Sequence, residues 1–209
     1  MATQQFFKQV RLVGGDIALD FVNTQTGPHG GPAEYDALGD YQDLLRWAAS
    51  LAIASENQIR RLSEDLARNV ARETAVFHEA RRIRSYLHEL FESLAHHEPP
   101  PAAVLNYLHE DEARALEQGQ LVVDGDKFAW DWSACTDPRA PVFPVVHSAV
   151  LLLTAGPVRR VRQCQSCRFM FLDQSKNASR RWCSMDDCGK TEKMHNYVSR
   201  RRASNLAQH

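Results

Sequence analysis

Five cysteines occur in the 209-residue chain, and four of them are spaced to hold a metal. Two residues separate Cys164 from Cys167, fifteen separate Cys167 from Cys183, and four separate Cys183 from Cys188. Two close pairs brought together across a loop of this length close a tetrahedral zinc site. A Cys-x2-Cys turn aims both sulfurs to one side while its backbone N–H groups point at them. Four thiolates on one dication leave a formal charge of about −2, which N–H groups and nearby arginines offset. Three other readings use the same residues: reduced structural cysteines, a redox Cys-x2-Cys and an iron–sulfur cluster. A redox motif belongs in a βαβ context, and none is visible. Iron–sulfur shares the ligand type, but closed structural sites in small basic modules are more often zinc. The expectation is therefore one structural Zn2+ on Cys164, Cys167, Cys183 and Cys188, with no open position for a catalytic water. Cys135 stands apart and reads as a small buried residue.

The four cysteines lie in the basic part of the chain. Residues 159–202 carry twelve Lys and Arg against four Asp and Glu, a net +8, inside a chain whose formal net charge is −1. The remainder is therefore −9. A basic end on an acidic body suggests an appendage that meets a polyanion; a solvated surface, or docking on the chain's own acidic body, is the plainer reading. The candidate nucleic-acid contacts are Arg168, Arg180, Arg181, Lys190, Lys193, Arg200, Arg201 and Arg202. The segment after the last cysteine has no Gly or Pro over residues 191–205, and it predicts a helix. Met194, Tyr197 and Val198 are expected against the knuckle, with the arginines outward. About 45 residues with few aliphatics bury too little surface to fold unaided. Metal binding, worth roughly 10–16 kcal/mol in zinc-finger peptides, supplies the deficit, with Phe169, Phe171 and Trp182 as a minimal core.

The elements that must position this site are mostly helical. Asp16–Thr24 suits a short helix and Gln9–Val13 a short strand. Residues 25–35, rich in Gly and Pro, form a loop. Asp40 reads as the N-cap of a helix reaching about Ala54. Apolar residues from Ile59 to Leu94 recur at three- and four-residue steps, a helical period. That run is long for one helix, so a break near Asn69–Thr74 is expected, and Pro99-Pro100-Pro101 ends it. A further helix runs to about Leu116. A hairpin turning at Asp124-Gly125 follows, and then a buried helix over Pro141–Ala155. The fold class is mainly α: a helical N-terminal domain over residues 1–158 with a small β-hairpin, and a small C-terminal four-cysteine zinc finger followed by a helix over 159–209, divided at Gly156-Pro157. The apolar and charged fractions, 44% and 24%, are those of a globular chain and exclude a collagen-like, disordered or purely coiled-coil protein. The longest mostly apolar stretch, Val145–Ala155, is too short to span a bilayer. The opening MATQQFFKQVRLVGG lacks a signal peptide's apolar core and cleavage site, so a cytoplasmic location is expected.

Three segments near the cysteines carry a resemblance: Phe171-Leu172-Asp173-Gln174-Ser175, Arg180-Arg181-Trp182-Cys183-Ser184-Met185 and Cys188-Gly189. They are similar to the CGNR zinc-finger family, departing where Lys190-Thr191 replaces the family's Asn-Arg. The departure spares the ligands and bears on any contact made by the family's arginine. Gly15-Asp16-x-x-Leu19-Asp20-Phe21-Val22-Asn23-Thr24 resembles the opening of the ABATE-type domain that precedes this finger. Together the resemblances imply a stress-induced bacterial transcription regulator with one bound zinc. Its basic finger would contact DNA, and its helical domain would sense a small-molecule effector or dimerise. Asp20, Asn23 and Thr24, polar within an apolar helix, are candidates to line an effector pocket, or else to cap that helix and hold the Gly-rich loop. A regulator of this size is expected to pair on a two-fold site. The alternative is a zinc-stabilised protein–protein adaptor that binds no nucleic acid. No G-x-S-x-G, P-loop, H-E-x-x-H or Rossmann fingerprint occurs, so no enzymatic activity is expected.

Overall fold

The computed structural model describes residues 12–206, except the side chains of Asn196, Arg200 and 202–206. Seven helices and three two-stranded ladders occur among them. Helix α1 (Ile17–Val22) opens the body: Asp16 caps it by accepting from Ala18 N–H and also accepts from the Ser148 hydroxyl, 2.9 Å each. Strands β1 (Gln25–Thr26) and β2 (Tyr35–Asp36) then enclose the Gly- and Pro-rich loop. Helix α2 (Tyr41–Ser50) starts at the expected cap, Asp40, whose side chain accepts from Asp43 N–H. It stops short of Ala54, because Ala52 turns to φ 53°, a left-handed conformation no helix continues through.

The periodic run is two helices. Helix α3 (Glu56–Leu66) is capped by Ser55, and helix α4 (Val70–Ala95) by Asn69. The break falls where Asn69 can accept a side-chain bond from Arg72 N–H, which offers the backbone an alternative to the continuing ladder. Helix α5 (Ala102–Gln118) follows the prolines. Strands β3 (Gln120–Asp124) and β4 (Lys127–Asp131) pair with Asp124 opposite Lys127. The two turn residues are thus Gly125 and Asp126, not Asp124 and Gly125. Only Gly125 takes a positive φ, 63°, which fits a II′ rather than a I′ turn. Helix α6 (Phe143–Thr154) is the buried helix expected from the apolar run. The expected strand Gln9–Val13 lies mainly outside the described residues, and Leu12 and Val13 are not in a strand.

One core joins these helices. Phe21 and Trp47 meet at 5.1 Å between ring centroids, and Leu44, Leu87, Leu90, Phe91, Val145 and Val146 pack around them. The same core takes in residues from beyond Gly156. Val161 on β5 (Val161–Gln163) and Met170 on β6 (Met170–Leu172) are fully buried in it. The cysteine-bearing segment is therefore docked on the helical body by its hairpin. A second, smaller cluster holds Cys164, Cys183, Cys188, Phe169 and Phe171, with Trp182 at its edge. A π-helical turn, Met185–Gly189, leads into helix α7 (Lys190–Leu206). The expectation that Met194, Tyr197 and Val198 face the knuckle does not hold: they are 62%, 57% and 39% exposed. The reason is angular. At 3.6 residues per turn, Lys190, Met194, Tyr197 and Arg201 fall on one stripe, so cations and apolar groups share a face that points to solvent.

Candidate metal centre

Each half of the site comes from a short, tightly bonded turn. Cys164 leaves β5 and Phe169 enters β6, and Cys164 N–H donates to Phe169 carbonyl at 2.8 Å, closing the first knuckle. Ser166 N–H from within it and Cys183 N–H from the second pair point at the Cys164 sulfur, and Phe169 N–H points at Cys167. Of the second pair, Cys183 lies just before the Met185–Gly189 turn and Cys188 within it, and Gly189 N–H bonds back to Ser184 carbonyl. The segment between the pairs is set by Asp173, which is fully buried. Its carboxylate accepts from Ser175 N–H at 2.9 Å and Arg180 N–H at 2.8 Å. Burial alone would raise its pKa; those bonds outweigh it and hold the carboxyl below its usual range.

The four sulfurs lie within 4.8 Å of one another. Cys167–Cys183 is 3.7 Å, and Cys183–Cys188 and Cys188–Cys167 are each 3.6 Å. A tetrahedron with zinc–sulfur bonds of about 2.3 Å has edges near 3.8 Å, so the donor set fits one zinc by both distance and chemistry. A bound dication takes all four as thiolates, because the metal ligand is the deprotonated sulfur. Cys135 is 8% exposed and takes no part in the cluster.

Around the knuckle the structure places residues that spacing alone did not single out. His29 Nδ1 lies 2.8 Å from Cys164 carbonyl. Gly27 carbonyl accepts from Arg168 N–H at 3.1 Å, and Pro28 bridges to Cys167. The Gly-rich loop of the body thus grips the first knuckle. A Cβ at Gly27 would sit 2.3 Å from Pro32 carbonyl, so the loop can close only with glycine there. Asn23 exchanges two bonds with Met170, Nδ2 to carbonyl and N–H to Oδ1, both 2.8 Å. Asn23 behaves as one more strand residue beside β6. Thr24 donates to Phe21 carbonyl and accepts from Arg84 Nη1. Asp20 accepts from Gly14 N–H. All three candidate effector residues are thus at least 93% buried and bonded within the protein. Arg84 itself, 1% exposed, pairs both nitrogens of its fork with Asp36. Its identity as a core residue was hidden in a helix otherwise read by its apolar spacing.

The candidate cations divide into two groups. Arg180 is drawn into the site: Nε donates to Trp182 carbonyl at 2.9 Å, Nη2 donates to Cys183 carbonyl, and the guanidinium lies 4.5 Å over Phe171. It places a positive charge beside the thiolates. Arg168 is half-buried at the seam with α4, where its charge meets Glu92 and Arg84. By contrast Arg181, Lys190, Lys193 and Arg201 are exposed. Arg181 bonds to Gln165 and lies over Trp182, Lys190 pairs with Asp186 at 3.0 Å, and Arg201 lies over Tyr197. Arg200 and Arg202 lie on α7, with side chains outside the described set.

A four-thiolate knuckle appended to a helical body defines a zinc-finger protein of two parts. The model of the family "Putative stress-induced transcription regulator" (ABATE) matches residues 15–156, and that of the CGNR zinc finger matches 160–201. The chain belongs to the ABATE family and carries a CGNR zinc finger. No curated protein matches it. No helix among the described residues is long and apolar enough to cross a membrane.

Proposed function

We propose that the protein is a DNA-binding transcription regulator whose zinc-ordered finger contacts DNA and whose acidic helical body supplies the regulatory input, by effector binding or self-association. The observation that carries this reading is the exposed cationic surface, Arg181, Lys190, Lys193 and Arg201, beside a site that fits zinc. Arg168 and Arg180 are assigned to the seam and the knuckle instead. The reading gives the zinc no catalytic part, because four protein thiolates leave no position for a substrate or water. If the finger neutralises four to six phosphates, log K against log salt falls with a slope of about −4 to −5. Fluorescence anisotropy on the zinc-loaded chain checks this. Binding that ignores salt, or no binding near ~50 mM salt, defeats the reading.

A second reading, the protein–protein adaptor, has one observation in its favour. Leu121, Val123 and Phe128 are 61%, 71% and 72% exposed. They share one face of the β3–β4 hairpin, with Val123 opposite Phe128. Exposed apolar faces of this kind suit protein contacts. Self-association lost on Phe128→Asp, read by light scattering, supports the adaptor if the chain binds no DNA, and assigns the face to the regulator's own dimer if it does.

A further inference from the structure

Helix α7 leaves the knuckle through the Met185–Gly189 turn and packs chiefly against that turn. It is 17 residues long, or about 25 Å at 1.5 Å per residue. Its outward stripe interleaves Lys190, Met194, Tyr197 and Arg201, with Lys193 and Val198 flanking it. A cationic face alone would serve for phosphates. An apolar face alone would call for a protein core. The mixture fits a partner that is anionic at its edges and presents apolar groups between them. The major groove of duplex DNA has that chemistry: phosphates line both rims, the groove is wide enough for a helix, and the thymine C5-methyl projects from its floor.

We infer that α7 lies in the major groove of duplex DNA, with Met194, Tyr197 and Val198 against thymine methyl groups and Lys190, Lys193 and Arg201 against the flanking phosphates. This rests on the DNA-binding reading above and adds to it a groove, an orientation and a base preference. Arg201, 5.9 Å from the Tyr197 ring centroid, holds that ring on the stripe while keeping its own charge outward. Sequence is read by contacts to base edges and positioning comes from phosphates, so the apolar and cationic residues of one helix have separable effects.

The test starts with the tightest-binding duplex selected from a random pool by the zinc-loaded full chain. That duplex is remade with dU for dT, which removes only the methyl groups. A buried methyl is worth about four-fold in affinity, so the dU duplex is expected to bind about four-fold more weakly per contacted thymine, with the salt slope unchanged. Met194→Ala and Tyr197→Ala should weaken the dT duplex and narrow the difference between the two duplexes. Lys193→Gln or Arg201→Gln should weaken both duplexes equally and reduce the salt slope by about one. Zinc content, measured on every variant, verifies that the finger is intact. Equal binding of the dT and dU duplexes, or no duplex enriched from the pool while salt-dependent binding persists, overturns the groove assignment and leaves the DNA reading standing. No DNA binding at all overturns both.

Discussion

Asp173 shows how a buried carboxylate serves a metal site it does not touch. It holds Ser175 and Arg180 in place, and Arg180 in turn reaches Cys183 carbonyl. Asp173→Ala leaves two partly buried N–H groups without their acceptor, at a cost of about 1–3 kcal/mol. Residues that orient ligands typically carry 10–100-fold of metal affinity, so chelator competition should show a loss of that order. Cys135→Ser should leave zinc content unchanged, whereas Cys183→Ser should lose it. Asp20 makes the opposite kind of prediction. Burial, with a smaller push from Asp16, raises its pKa to about 6, against 3.8 for a free side chain. The folded state therefore favours its protonated form, and its contribution to stability falls as pH rises from about 3.8 to about 6. Relative to Asp20→Asn, the wild type should lose about 2–3 kcal/mol between pH 4 and pH 7, measured by urea unfolding. A difference that stays flat across that range contradicts the burial argument.

At the scale of elements, the finger is held by a seam rather than by a linker. Asn23 to β6, Gly27 and His29 to the first knuckle, and Leu172 N–H to Gly14 carbonyl at 2.7 Å tie hairpin and body together. Asn23→Ala breaks two buried bonds and leaves Met170 N–H and carbonyl unpaired, a cost of about 2–4 kcal/mol. Arg84→Ala removes the paired charge from Asp36, which keeps its bonds from Gln25 and from Leu38 N–H, and should cost about 2–3 kcal/mol, read by thermal unfolding with the zinc content monitored. The seam also explains what the sequence could and could not reveal. The cysteine ligands and the cap Asp40 are local signals, each contained within a few residues, and each was legible; the prolines lie beyond the end of α4 at Ala95, where His97 already turns to φ 62°. Asn23 meets Met170 across 147 positions and His29 meets Cys164 across 135. No periodicity encodes such pairs, so Asn23 read as an effector-pocket or capping candidate; it is the C-cap of α1, and its pairing with β6 was not visible. Helix α7 forms where its composition predicts it, but the facing expected of its apolar residues fails, because their angular overlap with the cations excludes two-faced packing.

Across the whole molecule, metal and fold are linked more widely than a detachable finger would allow. Val161 and Met170 belong to the main core, while the chain between them supplies Cys164 and Cys167. Zinc removal should therefore lower the unfolding midpoint of the helical body as well as melt the finger, since anything bound only by the native state stabilises all that unfolds with it. Differential scanning calorimetry with and without chelator checks this: one shifted transition is expected, and an unmoved main transition would mean independent units. The most direct measurement is metal and thiol analysis of the purified native chain, followed by DNA binding before and after chelation. One zinc per chain is predicted, with four thiols protected until the ion is withdrawn and DNA affinity lost when it goes. A rigid, metal-free fold with those thiols open to modification, or the same cysteines joined as disulfides, would contradict it.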